Sequence, residues 1–290
     1  MKYLYKYPQR EFPYRDLVAT NRQRSREQFE YELLDTGAFA DDRYFDVFVE
    51  YAKASPEDVC IRITVHNRGP EPARLHVLPT LWFRNTWSWG DDQPKPSMRH
   101  AGGNSVEASH EALGTYLLHC DGQPELLFTE NDTNIHRLWG QPNPSPYVKD
   151  AFHAYVVSGR HDAVNPARTG TKAAARYALD VPARGSQVVR VRLTVAPSKA
   201  SFSDFDAVFD DRLHDANEFY DRITPGTLTE DQRRVHRQAL AGMLWTKQFY
   251  YFDLEKWLSE RKSHPMLDGK ASGSRNMATR VPLGRNTGVW

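Results

Sequence analysis

The residues best suited to hold a ligand lie in one short run, Thr80-Leu81-Trp82-Phe83-Arg84-Asn85-Thr86-Trp87-Ser88-Trp89-Gly90. Three of the chain's seven tryptophans fall within it, interleaved with a guanidinium and an amide. Flat aromatic rings cover the apolar faces of a sugar, and amide and guanidinium N–H groups donate to its hydroxyls. Arg84, Asn85, Trp87 and Trp89 are therefore candidate substrate contacts. The competing reading is that these rings plug the end of a sandwich or face a neighbouring domain, the commoner fate of tryptophan. A second polar run, Asn165-Pro166-Ala167-Arg168-Thr169-Gly170-Thr171-Lys172, enters a strand from a turn. Its Arg168 and Lys172 suit an anionic or hydroxyl-rich ligand, or else solvent or an adjoining domain.

No spacing for covalent or metal chemistry stands out. The chain lacks a Gly-x-Ser-x-Gly elbow, a His-Glu-x-x-His helix and a calcium loop. The 11 histidines are scattered, and His66, His76 and His119 on or beside strands read as hydrogen-bonded structural groups. Two cysteines, Cys60 and Cys120, make neither a disulfide framework nor a zinc site. Cys60 falls on the polar face of its strand, where a lone thiol is more often inert than nucleophilic. Asp41-Asp42, Asp91-Asp92 and Asp210-Asp211 are adjacent carboxylates, which on a strand point to opposite faces and make poor metal or acid–base pairs. No metal and no cofactor are expected.

The elements that must position these residues change character along the chain. Asp58–His66 alternates at period two, with Val59, Ile61, Ile63 and Val65 on one face. Val188–Val195 does the same, and in Leu75–Phe83 the inner set is Leu75, Val77, Leu81 and Phe83. Pro79 inside that run marks an edge strand or a bulge. Arg43–Tyr51, Thr115–His119, Leu126–Thr129, Ala154–Val157 and Ala173–Leu179 read as further strands. Many strands without intervening helices predict an antiparallel sandwich or barrel. The first 30 residues show no steady period and read as an extended segment lying on something else.

After Pro197 the period becomes helical. Phe205, Val208, Phe209, Ala216, Phe219 and Ile223 mark one helix, with Ser203 as its cap, ending at Thr224-Pro225-Gly226. Thr229 with Gln232 fits a capping box, and a stripe from Val235 through Leu240, Met243, Leu244, Tyr250, Leu254 and Trp257 predicts one long helix to about Ser259. The last stretch carries Arg261, Lys262, Lys270, Arg275, Arg280 and Arg285 against Asp268 alone. Its composition reads as a disordered basic tail.

Composition limits the partners. Of the 290 residues, 40% are hydrophobic and 12% aromatic, and mean hydropathy is -0.68, which suits a folded globular chain. Its 38 basic and 37 acidic residues leave a net charge of +1. No nucleic acid or anionic membrane is therefore an expected partner. No run of about 18 apolar residues spans a bilayer, and Met1–Tyr7 lacks the apolar core of a signal peptide. The expected compartment is the cytoplasm.

Several longer motifs occur in order: Tyr31-Glu32-Leu33-Leu34-Asp35-Thr36-Gly37, Asp42–Tyr51, Leu78–Gly90, Leu127-Phe128-Thr129-Glu130-Asn131, Asn165–Ala174 and Gln238–Trp245. Together they resemble the N-terminal part of large bacterial glucosidase-type proteins in or close to glycoside hydrolase family 63, the mannosyl-oligosaccharide glucosidase group. The resemblance runs from Lys2 to Trp257. It implies a mainly β fold: an antiparallel β super-sandwich, a linker helix and the first helix of a truncated (α/α) toroid. The implied parsing is 1–197 sandwich with its leading segment, 198–228 linker, 229–260 first toroid helix and 261–290 tail.

In such proteins an aspartic acid and a glutamic acid on the toroid act as general acid and general base in an inverting hydrolysis of α-glucosidic bonds. No residue of this chain takes over those roles. The chain is thus expected to be a piece of a longer protein, inactive alone, with an oligosaccharide substrate and the missing toroid as its partners. The alternatives are a non-catalytic carbohydrate-binding module and a structural interaction domain.

Overall fold

A computed structural model describes residues 1–89, 94–198, 202–246 and 252–263, apart from the side chains of Trp89 and Trp245. Its strands, in chain order, are β1 (Lys2–Pro8), β2 (Tyr44–Ser55), β3 (Asp58–Asn67), β4 (Ala73–Val77), β5 (Thr80–Trp82), β6 (Ser97–His100), β7 (Ser105–His110), β8 (Gly114–Cys120), β9 (Glu125–Thr129), β10 (Thr169–Gly170), β11 (Lys172–Val181) and β12 (Ser186–Val195). Eight of them form one sheet in the order β1-β2-β3-β12-β8-β7-β6-β10. A smaller sheet has β11 at its centre, with β4 and β5 on one side and β9 on the other. Every pairing is antiparallel. The fold is mainly β, with short helices between strands and further helices after the last one.

The two sheets face one another across the apolar alternation. Met98, Val106, Leu118 and Val191 of the large sheet pack against Leu126, Phe128, Ala173 and Ala175 of the small one. Phe45, Ile63, Val65 and Val189 continue that core to Val181. The inner set Leu75, Val77, Leu81 and Phe83 lies on this same interface. Pro79 interrupts its strand as its missing N–H requires. β4 and β5 keep a single register on β11, and the Pro79 carbonyl still accepts the Ala175 N–H at 3.0 Å. The interrupted strand is an edge, where a missing donor is tolerated.

Three expectations are corrected. Ala154–Val157 is not a strand but part of helix Ala151–Ser158, closed by Gly159 at φ +65°. Phe152 and Tyr155, three residues apart, share a buried cluster with Leu127 and Ala174. A helical spacing thus covers the outer face of the small sheet, which a strand at this place would not. The leading segment is extended only in part: β1 lies hydrogen-bonded on β2 at the edge of the large sheet, but Tyr14–Gln23 is a helix. The long second helix is two, Glu230–Trp245 and Leu254–Glu260, the latter starting from its own N-cap Asp253. Tyr250 lies outside the described residues, as does 264–290 of the basic tail.

The helix after the sandwich, Phe205–Ile223, begins two residues beyond Ser203, so Asp204 rather than Ser203 stands at its N-cap position, its carbonyl accepting the Val208 N–H at 3.0 Å. Phe205 and Phe209 bury Ala52 and Cys60 on the back of the large sheet. Cys60 keeps the face it shares with Arg62, Thr64 and His66, but at its own position that face is covered by Phe205 and Phe209. By contacts the chain divides into two compact units, Met1–His214 and Asp215–Trp290, the division falling inside this helix. In the second unit the capping box reads as its spacing requires: Gln232 N–H donates to Thr229 Oγ1 and Thr229 N–H to Gln232 Oε1. Replacing Thr229 with alanine is expected to destabilise this helix by about 1 kcal/mol. Hydrogen exchange should quicken about fivefold at the amides of the first turn of Glu230–Trp245. Unchanged exchange there would mean the box adds nothing.

Candidate functional site

The two polar runs meet at one end of the small sheet. Lys172 stands opposite Trp82 on one side and Thr129 on the other, so the three side chains share the sheet's outer face. Beyond Trp82 the chain leaves the sheet, with Phe83 N–H still donating to the Thr171 carbonyl at 3.1 Å. Asn131, just past β9, ties both neighbours down. Its Nδ2 donates to the Phe83 carbonyl at 2.8 Å, and its N–H donates to Thr171 Oγ1 at 2.8 Å. Thr171 Oγ1 in turn donates to Glu130 Oε2 at 2.7 Å, and Lys95 pairs with the same carboxylate at 3.0 Å.

Asn85 belongs to this network. Its Nδ2 donates to Asp132 Oδ1 at 2.6 Å and to the Asn131 carbonyl at 3.3 Å, while its Oδ1 accepts the Ser88 N–H. Lys149 joins from the far side, its N–H donating to the Asp132 carbonyl at 3.0 Å and its Nζ to Thr133 Oγ1 at 3.0 Å. Lys172 Nζ donates to the Lys149 carbonyl at 2.8 Å and sits 4.8 Å from the centre of the Phe152 ring. Burial, and then the Lys149 ammonium, hold the Lys172 ammonium below the ordinary lysine range, against the opposing pull of Asp150.

Two further details mark this end of the sheet. Thr129 Oγ1 is fully buried and has no hydrogen-bond partner among the described residues. Gly170 lies so close to the Thr129 carbonyl that a Cβ built on it would stand 2.2 Å from that oxygen.

The expected site residues thus separate. Asn85 and Lys172 join one network. Trp87 is half-buried in a short 3-10 turn just after Asn85, Arg84 is exposed, and the Trp89 side chain lies outside the described residues. Arg168 sits at φ +55° in the turn before β10, its carbonyl accepting the His100 N–H. No hydrogen bond links its side chain to the network. Trp82 is 55% exposed beside Lys172. Trp82, Glu130, Asp132, Lys149 and Thr171 were not among the residues singled out by type. For Trp82, Glu130 and Thr171 the signal was positional, since they lie in the motifs Leu78–Gly90, Leu127–Asn131 and Asn165–Ala174; Asp132 and Lys149 lie in none of the motifs and had no such signal.

What this arrangement can do is hold and present groups. Both carboxylates already accept donors, Glu130 from Lys95 and Thr171, Asp132 from Asn85. Elsewhere in the sandwich His119 is buried, with Nδ1 3.0 Å from Ser105 Oγ and Nε2 3.1 Å from Ser198 Oγ. Burial and the nearby Arg192 keep it below the usual histidine range, as suits a neutral structural histidine. Burial also pushes the thiol of Cys60 up to about 11 and that of Cys120 up to about 12. Neither is expected to react with Ellman's reagent in the folded protein at pH 8, and both should react in urea. Stoichiometric labelling of the native chain would show that one of them is accessible.

No helix among the described residues is long and apolar enough to cross a membrane. Among the described residues no group of three or more His, Cys, Asp and Glu side chains is placed to hold a metal ion. No family model matches the sequence. The chain is 34% identical over 335 residues to the uncharacterized protein YMR196W of Saccharomyces cerevisiae, an alignment covering 99% of this chain and 30% of the yeast protein. It therefore spans less than a third of that relative's length. Among solved structures, a putative kojibiose phosphorylase from human microbiome shows 10% identity and a TM-score of 0.28, over 70% of this chain and 22% of the other.

Proposed function

We propose that this chain is the sandwich portion of a longer, cytoplasmic carbohydrate-active protein of the family-63 glucosidase type. In the whole protein it would accompany an inverting acid–base hydrolysis of α-glucosidic oligosaccharides, with the carboxyl pair supplied by a toroid outside this chain. The parsing into 1–197, 198–228, 229–260 and 261–290 is part of the same proposal. One observation carries the reading: three motifs of the resemblance, Leu78–Gly90, Leu127–Asn131 and Asn165–Ala174, are far apart in sequence yet hydrogen-bonded into a single cluster. That cluster presents an exposed tryptophan beside a lysine and an amide-rich loop. An indole face stacks on a pyranose, and the Lys172 ammonium beside it, which spends one donor on the Lys149 carbonyl, has others for a hydroxyl.

The chain should bind glucose disaccharides weakly and turn none of them over. Titration calorimetry with kojibiose, nigerose and maltose is expected to give a Kd on the order of 1 mM for at least one. Trp82→Ala should weaken it about tenfold with the fold intact by circular dichroism. Absence of binding to all three by the folded protein would reject the sugar reading and favour a docking face for another domain. Hydrolysis by the purified chain, abolished by a point substitution within it, would overturn the claim that the catalytic groups lie elsewhere.

A further inference from the structure

The outer edge of β1 combines two lysines and a proline with four exposed aromatic and aliphatic side chains. β1 ends the strand order of the large sheet. Tyr3, Leu4, Tyr5 and Tyr7 are 44%, 44%, 52% and 43% exposed. Edges are commonly guarded by lysines that repel an incoming strand. Here both are spent on the strand's own sheet: Lys6 Nζ lies 2.6 Å from Asp46 Oδ1, and Lys2 Nζ 3.6 Å from Glu50 Oε1.

The direction of the edge groups follows from the ladder. Tyr51 N–H donates to the Met1 carbonyl, the Met1 amine donates to the Tyr51 carbonyl, and Gln9 N–H donates to the Arg43 carbonyl. Antiparallel pairs alternate, so Tyr3, Tyr5 and Tyr7 also bond inward to β2. The N–H and C=O of Lys2, Leu4 and Lys6, with the C=O of Pro8, point outward. The tyrosine side chains lie on the sheet face that carries Val49, Val47 and Phe45. Tyr3 forms one wall of an apolar cavity of about 320 Å³, shared with Val49, Tyr51, Ile61, Leu81 and Leu193.

We propose that this edge is a self-recognition surface: two copies of this chain pair β1 against β1, antiparallel, about a two-fold axis at Tyr5. Charge and length of overlap together select this register. An axis at Leu4 would set Lys2 opposite Lys6 of the other copy. An axis at Tyr5 sets Leu4 opposite Lys6 and leaves no lysine facing a lysine. It also uses the full length of Lys2–Pro8: Leu4 and Lys6 exchange both hydrogen bonds, and the Lys2 N–H meets the Pro8 carbonyl. Tyr5 then faces its own copy and Tyr3 faces Tyr7 in non-hydrogen-bonded pairs, where side chains approach most closely. The interface is self-complementary, as a two-fold contact must be.

Sedimentation of the full chain at tens of micromolar is expected to give twice the monomer mass of 33.4 kDa. Leu4→Pro removes an outward N–H from each copy without touching the β1–β2 ladder, and should weaken association at least about tenfold. Tyr5→Cys should yield a disulfide-linked dimer under mild oxidation, while Leu4→Cys should not; Cys60 and Cys120 are both buried and give no background. The cross-link does not depend on how well the proline variant folds. A monomer at these concentrations overturns the proposal. So does a dimer indifferent to Leu4→Pro, or a cross-link through Leu4→Cys in place of Tyr5→Cys.

Discussion

Gly170→Ala is expected to destabilise the sandwich by about 3 kcal/mol or more, the upper end of what overpacking costs. The reason is space rather than torsion. The new methyl would stand 2.2 Å from the Thr129 carbonyl oxygen and 2.8 Å from its carbon. Both belong to backbone, so no side chain can swing aside. The same carbonyl accepts the Thr171 N–H at 3.1 Å, and Thr171 Oγ1 links Asn131 to Glu130. Relief by moving β10 away from β9 would therefore also open the network that holds Asn85. Urea unfolding followed by tryptophan fluorescence should show a lower midpoint, and disaccharide affinity should fall with it. A midpoint shift worth less than about 1 kcal/mol would mean that the two segments are not in this contact.

Arg192→Met is expected to lower stability by about 2–3 kcal/mol at pH 7. Arg192 is a buried guanidinium on β12, bonded bidentately to Asp58 at 2.8 and 2.7 Å and to Asp204 at 2.6 and 3.2 Å. It joins the hairpin end of β3 to the start of the helix that covers Cys60. Methionine keeps the stem but leaves the two carboxylates facing each other without a cation. Asp204 is half exposed, so solvent screens part of the loss and the estimate stays below that for a fully buried pair.

The pH dependence carries a sign. The hydrogen bond from Arg192 holds the Asp204 carboxyl below the usual aspartate range, so near that range the unfolded chain binds more protons than the folded one. This contribution is fully present above about pH 4 and is lost as pH falls through the depressed folded value. The difference between wild type and Arg192→Met should thus be largest at neutral pH and shrink on acidification. An equal difference at pH 7 and pH 3 would assign the loss to packing of the arginine stem instead.

The features legible in the chain itself were those with a local physical cause. Alternation put Ile61, Ile63 and Val65 on one face of β3 because successive side chains on a strand point oppositely. Pro79 announced an edge or a bulge because it has no N–H to give. Thr229 and Gln232 announced a helix start because three residues is the reach of a capping box. Where several partners could satisfy the same local pattern, tertiary structure decided. Ala154–Val157 is apolar enough for a strand, and became helical because Phe152 and Tyr155 cover Leu127 and Ala174. Cys60 looked half-polar until Phe205 and Phe209, distant in sequence, closed over it. Asn85 and Lys172 were separable candidates by residue type. Only the pairing of β9 and β5 with β11 brought Asn131, Asp132 and Lys149 between them, because hydrogen bonds between residues some forty positions apart leave no period in the chain that makes them.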